Sequence, residues 1–180
     1  MPRRPREEEP GAIAHVVARG NERRAIFRDD RDRIAYLRLL QRVRQRAGWL
    51  ILAYCLMDNH VHLLVETPKA NLGDGMRWFH GHYGRYFNDR HDRSGHLFQG
   101  RFTSVRQRTD EQLVTVLRYI ALNPVAAGLS ATANDYVWSS HRAVSLGGPD
   151  AILDVDRVLW FLSGGDRARG LRAYAELTGV

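Results

Sequence analysis

One stretch limits the fold more than any other: "WLILAYCLMDNHVHLLVET", residues 49–67. Two apolar runs of strand length flank the polar pair Asp58-Asn59, a pattern that predicts a β-hairpin, and Pro68 ends the second strand. Strand side chains alternate, so His60, His62 and Leu64 share one face and Val61, Leu63 and Val65 the other. With a two-residue turn, His60 pairs with Met57 and His62 with Cys55. Residues two apart on a strand lie about 7 Å apart, so both imidazoles can lean toward one ion. A histidine pair on a solvent-facing sheet surface is the commoner meaning of this spacing. Here the sheet needs one face for helices, which leaves the histidines on the open one, a rigid platform for a site.

The flanking segments supply the rest of a domain. "GAIAHVVARGN" alternates and is β-branched, which predicts a strand ending at Gly20-Asn21. "DDRDRIAYLRLLQRVRQRAG" opens on capping acids, lines up Ile34, Leu37, Leu40, Val43 and Ala47, and ends at Gly48, as an amphipathic helix does. Met76, Phe79, Tyr83, Tyr86 and Phe87 have helical spacing, although Gly81 and Gly84 weaken that helix. "RFTSVRQR" alternates as a fourth strand. "TDEQLVTVLRYIALNP" has a Thr109 cap, acids in its first turn and Pro124 as its stop. The order β-α-β-β-α-β, followed by a further helix, predicts an α+β, ferredoxin-like fold: one antiparallel sheet with helices on one face. "NDYVWSSHRAVSL", "DVDRVLWFL" and "DRARGLRAYAEL" read as additional helices.

Composition narrows the class. At 180 residues the chain suits one domain with a substantial core. No apolar run of about 18 residues exists, and "MPRRPREEEPG" lacks the apolar centre of a secretory signal. The single cysteine, Cys55, cannot form an internal disulfide or a cysteine-built zinc site, which points to a reducing cytoplasm. Net charge is +7, and Lys69 is the only lysine. Residues 1–50 carry 13 basic and 7 acidic side chains, whereas residues 151–180 carry four of each. An arginine excess at one end indicates a polyanion-facing surface, though arginine-rich codon usage gives the same composition.

Two further clusters carry chemistry. Tyr119 and Asn123 lie four apart on a predicted helix, hence on one face, with Tyr119 at the edge of a buried stripe of Leu113, Val116, Leu117 and Ile120. By spacing alone such a tyrosine is usually a boundary aromatic. His80 and His82 repeat the two-residue histidine spacing, but on a helix they point about 200° apart and cannot share an ion. His15, His91, His96 and His141 stand isolated in the sequence and have no assigned role.

Taken together and in order, "RGNERRAIFRDD", "CLMDNHVHLLVET", "SGHLFQGRFTSV", "RYIALNPVAAGL" and "DYVWSSHRA" resemble the REP-associated tyrosine transposases, a bacterial branch of the single-tyrosine HUH transposases. The resemblance runs from about Gly11 to Ala143. It implies a cytoplasmic enzyme that nicks and joins single-stranded DNA at palindromic hairpins. It divides the chain into a catalytic domain with a basic arm, residues 1–130, and a helical extension packed on it, residues 131–180. It further implies Tyr119 as the nucleophile that takes up the 5′ phosphate, His60 and His62 as metal ligands, and Asn123 as third ligand where related transposases use glutamine. Two imidazoles and an amide suit Mn²⁺ and can function with Mg²⁺. The stretch before the first strand is less basic than the family pattern.

For DNA contacts, Arg3, Arg4 and Arg6 read as a flexible arm, and Arg19, Asn21, Arg23, Arg24 and Arg28 crowd the loop after the first strand. Arg101 with Phe98 and Phe102 forms a basic-aromatic group suited to phosphate contact and base stacking. Each arginine taken singly is more often a solvated charge. Monomer and homodimer stay equally open. Two other functions fit parts of the pattern: a non-catalytic nucleic-acid-binding module of the same fold, and a metal-dependent hydrolase using His60, His62 and Asp58 or Glu66.

Overall fold

The computed structural model describes residues 8–179. Arg3, Arg4 and Arg6 lie outside the described residues. Four strands, β1 (Ala12–Arg19), β2 (Leu50–Met57), β3 (His60–Thr67) and β4 (Thr103–Gln107), form one antiparallel sheet in the order β2-β3-β1-β4. Helices α1 (Asp30–Ala47) and α2 (Leu72–Arg90) make the two crossovers, and α3 (Asp110–Ala126) follows β4. This is the ferredoxin-like arrangement predicted from the element order. Three shorter helices complete the chain: α4 (His141–Leu146), α5 (Val155–Ser163) and α6 (Arg167–Thr178).

The hairpin pairs Met57 with His60 and Cys55 with His62, the register the turn length requires. Two-residue turns usually need positive φ, yet neither Asp58 nor Asn59 has it. Tertiary bonds hold this turn instead. The Asp58 carbonyl accepts from Ile26 N at 2.9 Å, the Asn59 carbonyl accepts from Gly20 N at 2.8 Å, and Arg33 pairs with the Asp58 carboxylate at 2.5 Å.

Helix α1 begins at the Asp29 cap and ends at left-handed Gly48, as its sequence predicts. Its buried stripe differs from the expected one: Asp32, Tyr36, Leu40 and Val43 face inward, while Ile34 is 42% exposed. Tyr36 takes the central position because it packs edge-on to Phe27 and Tyr83. Helix α2 forms despite its glycines because Met76, Phe79, Tyr83 and Phe87 are all buried. Gly75 in that helix has a packing reason: a Cβ there would lie 2.1 Å from the Trp49 ring.

Three expectations fail. The histidine face of the sheet is not open, because α3 crosses it; every residue of β2 and β3 except Leu50 and His60 is buried. Pro124 does not end its helix, which runs to Ala126. Only the last turn follows the proline, where the Asn123 carbonyl is already capped by Ala127 N, so the missing N–H costs one bond. Between a short 3-10 turn at Ala133–Asp135 and α4, the segment expected to be helical is not. Cys55 bridges Ser139, Leu56 N donates to the Trp138 carbonyl at 2.9 Å, and Ser140 N donates to the Tyr54 carbonyl at 2.9 Å. The free edge of β2 competes successfully for that segment and is thereby covered. Arg157 on α5 clamps Glu66 on β3 with two bonds of 2.9 and 3.0 Å, and Arg44 on α1 holds Asp154 at 2.7 Å. These ion pairs fix α5 to the sheet and to α1.

Candidate active site

The chemistry gathers on the sheet face beneath α3. In register, His60 lies opposite Arg19 and His62 opposite Val17. The two imidazoles are 5.0 Å apart between ring centroids, with their planes at 82°. His62 is 4% exposed, and its Nε2 is buried with no hydrogen-bond partner. An unpartnered buried nitrogen is rare in a finished interior and fits a lone pair kept for a metal ion. Its Nδ1 lies 3.0 Å from Nε2 of His15, and the two rings stack at 5.2 Å. His60 places Nδ1 2.7 Å from Oδ1 of Asn59.

Burial, reinforced by the charges of His15, His60 and Arg19, pushes the His62 pKa down to about 3. Burial also lowers His15, and burial with the nearby Arg19 lowers His60. All three rings are therefore neutral near pH 7, the state in which imidazole can ligate a metal.

Tyr119 reaches this group from α3. Its ring centroid is 5.3 Å from that of His62 and 5.9 Å from that of His15, edge-on to both. The residue is 49% exposed, so its side chain is not sealed in the core. Leu113, Leu117, Ile120, Ala121 and Pro124 form the buried side of α3 and set that orientation. Asn123 lies one turn further on the same helix and is partly buried. No group of three His, Cys, Asp or Glu among the described residues could hold a metal.

Neither carboxylate of the hydrolase alternative is free for the ion. Asp58 is bound to Arg33, and Glu66 to Arg157. His80 and His82 diverge as expected: His80 shares a 3.1 Å hydrogen bond with the Tyr36 hydroxyl, and His82 turns out to the Trp78 carbonyl.

The proposed DNA contacts separate into several places. Arg19 is exposed beside His60. Asn21, Phe98, Arg101 and Phe102 line one groove of about 1090 Å³ together with Arg77 and Arg85 of α2. Arg24 pairs with Glu22, and Arg28 packs over the Phe87 ring away from that groove. Phe102 is only 9% exposed, so core packing leaves little of its ring for a base, and Phe98, partly buried, stacks on His80 at 4.2 Å. The loop after β1 does not owe its shape to a left-handed glycine. Glu22 and Arg23 carry the positive φ, and Gly20 is needed because a Cβ would meet the Arg24 carbonyl at 2.1 Å.

Sequence reasoning passed over His15, Asn59, Arg77 and Arg85. The β1 alternation already placed His15 on one strand face, but only the β1–β3 register brings it beside His62.

A profile of the family described as transposase IS200-like matches residues 10–123. Among solved structures, the chain is similar to a REP-associated tyrosine transposase bound to a REP hairpin, with a TM-score of 0.69 and 19% identity over 84% of this chain and 90% of that one. A transposase structure from Deinococcus radiodurans R1 matches with a TM-score of 0.47 and 17% identity, over 66% of this chain and 95% of that one. No curated protein matches significantly. No helix among the described residues is long and apolar enough to cross a membrane.

Proposed function

The chain belongs to the IS200-like transposase family and so to the proteins of DNA transposition, and on that premise we propose that it nicks and rejoins single-stranded DNA through Tyr119. The observation that carries the reading is a half-exposed phenol 5.3 Å, ring to ring, from a buried histidine whose Nε2 has no partner.

In the proposed step the Tyr119 oxygen attacks the scissile phosphorus and loses its proton. The bond from phosphorus to the 3′ oxygen breaks, and that oxygen leaves as a hydroxyl after taking up a proton. The 5′ phosphate stays on the tyrosine. One phosphoester replaces another, so a 3′ hydroxyl can reverse the step and rejoin the strand without an energy source. His60 and His62, with Asn123 as third donor, would hold a divalent ion, Mn²⁺ or Mg²⁺, that supplies Lewis-acid polarisation of the phosphate.

Arg19, opposite His60 in the sheet, offers a cation for the scissile phosphate. Asn21, Arg77, Arg85 and Arg101 give the adjoining groove a phosphate-binding lining for the flanking DNA. A palindromic hairpin is the substrate to test, since the similar solved transposase is bound to a REP hairpin. The nucleic-acid-binding alternative is weaker because α3 covers the sheet face that such modules leave open for bases.

The test uses single-stranded hairpin DNA labelled at either end, incubated with the protein and Mn²⁺. A covalent adduct should retain the 3′ label, and the 5′-labelled fragment should end in a free 3′ hydroxyl. EDTA should abolish both products. Cleavage with no adduct, or an adduct carrying the 5′ label, contradicts the reading.

A further inference from the structure

We propose that His15 and Asn59 are positioning residues that hold His62 and His60 in their Nδ1–H tautomers, so that both Nε2 lone pairs are left for the ion. The ion itself rests on the proposed function; the tautomers do not.

For His60 the argument is a chain of hydrogen bonds. The side-chain nitrogen of Asn59 donates to the Arg23 carbonyl at 3.0 Å. A carbonyl can only accept, so this bond fixes which way the amide faces. Oδ1 must then be the atom 2.7 Å from Nδ1 of His60, and that nitrogen must donate. In a neutral ring Nε2 carries the lone pair.

For His62 the direction follows from burial. Nδ1 has a partner, Nε2 of His15 at 3.0 Å, whereas Nε2 of His62 has none. A buried N–H with no acceptor is a rarer and costlier defect than an unfilled acceptor. His62 therefore keeps its proton on Nδ1, donates it to His15, and presents Nε2 bare. His15 also stacks on His62 and meets Tyr119 edge-on, so it fixes the ring plane that faces the nucleophile. A metal-binding histidine needs such an outer partner to set its tautomer and orientation.

Asn59 has a further consequence. Its carbonyl accepts from Gly20 and its amide binds Arg23, so the residue that orients His60 also pins the loop bearing Arg23 and Arg24.

The experiment has two arms. Nitrogen-15 NMR of the metal-free, full-length protein reads the ring tautomers directly, and both His60 and His62 should be protonated at Nδ1. Calorimetric titration with Mn²⁺ then compares His15→Ala, His15→Gln, Asn59→Ala and Asn59→Asp, each with native circular dichroism. The alanine variants should bind Mn²⁺ about 10- to 100-fold more weakly. Gln at position 15 and Asp at position 59 restore an acceptor and should recover most of that loss. An Nε2–H tautomer in either wild-type ring, or alanine variants with unchanged Mn²⁺ affinity, overturns the proposal. A wild type with both Nδ1–H tautomers that takes up no Mn²⁺ instead sinks the proposed metal site and leaves the tautomer assignment standing.

Discussion

Replacing Tyr119 by phenylalanine separates chemistry from folding, and the structure sets both magnitudes. The side chain is 49% exposed, and its hydroxyl makes no hydrogen bond among the described residues. Its contacts to His62 and His15 are ring contacts that phenylalanine keeps. The substitution should therefore change stability by no more than about 0.5 kcal/mol. For a chain of this size that is roughly 1–2 °C in Tm. Hairpin affinity should stay within about threefold, equivalent to less than about 0.7 kcal/mol. With the proposed nucleophile gone, single-turnover adduct formation should fall by at least about 10⁴-fold, or roughly 5.4 kcal/mol of barrier. Denaturing gels of labelled hairpin read the adduct, and thermal unfolding of the same preparation reads the fold. An adduct in the Phe variant would refute the assignment. A Tm loss above about 5 °C would show that the hydroxyl is structural, against the geometry.

Arg157→Ala should cost about 3 kcal/mol, because it strands the 8%-exposed Glu66 without its partner, and should lower Tm by roughly 6–12 °C. A loss below about 1 kcal/mol in calorimetry would show that α5 does not depend on this pair. Gly75→Ala forces a methyl group against Trp49, and overpacking of about 1–3 kcal/mol should outweigh the roughly 1 kcal/mol of helix propensity gained. A rise in Tm would contradict the clash. Burial lowers the His80 pKa, so the unfolded chain binds a proton that the folded one does not as pH falls below about 6.5. Stability then declines toward acid, and His80→Phe should make that decline shallower in urea titrations at pH 7.0 and 5.0. An identical slope in both proteins would show that His80 does not contribute.

The local code was legible where short-range chemistry decides. The hairpin register follows from a two-residue connection and strict alternation, and α1 starts and stops at residues whose capping chemistry is visible in the chain. Tyr119 was readable as a helix-edge residue because a 3.6-residue period sorts neighbours without outside help. Tertiary structure decided the rest. His15 looked idle because its partner is 47 positions away, and only strand pairing joins them. Phe102 looked like a stacking surface because a sequence shows ring chemistry but not burial, which depends on distant neighbours. Tyr136 to Ser140 looked helical, yet the unpaired edge of β2 offered backbone bonds that helix propensity could not match. Local preferences are worth tenths of a kcal/mol per residue, whereas burial and satisfied backbone groups are worth one or more. Spacing therefore determined the elements and the residue types at the site. Which of those residues meet under α3 was left to the pairing of the strands.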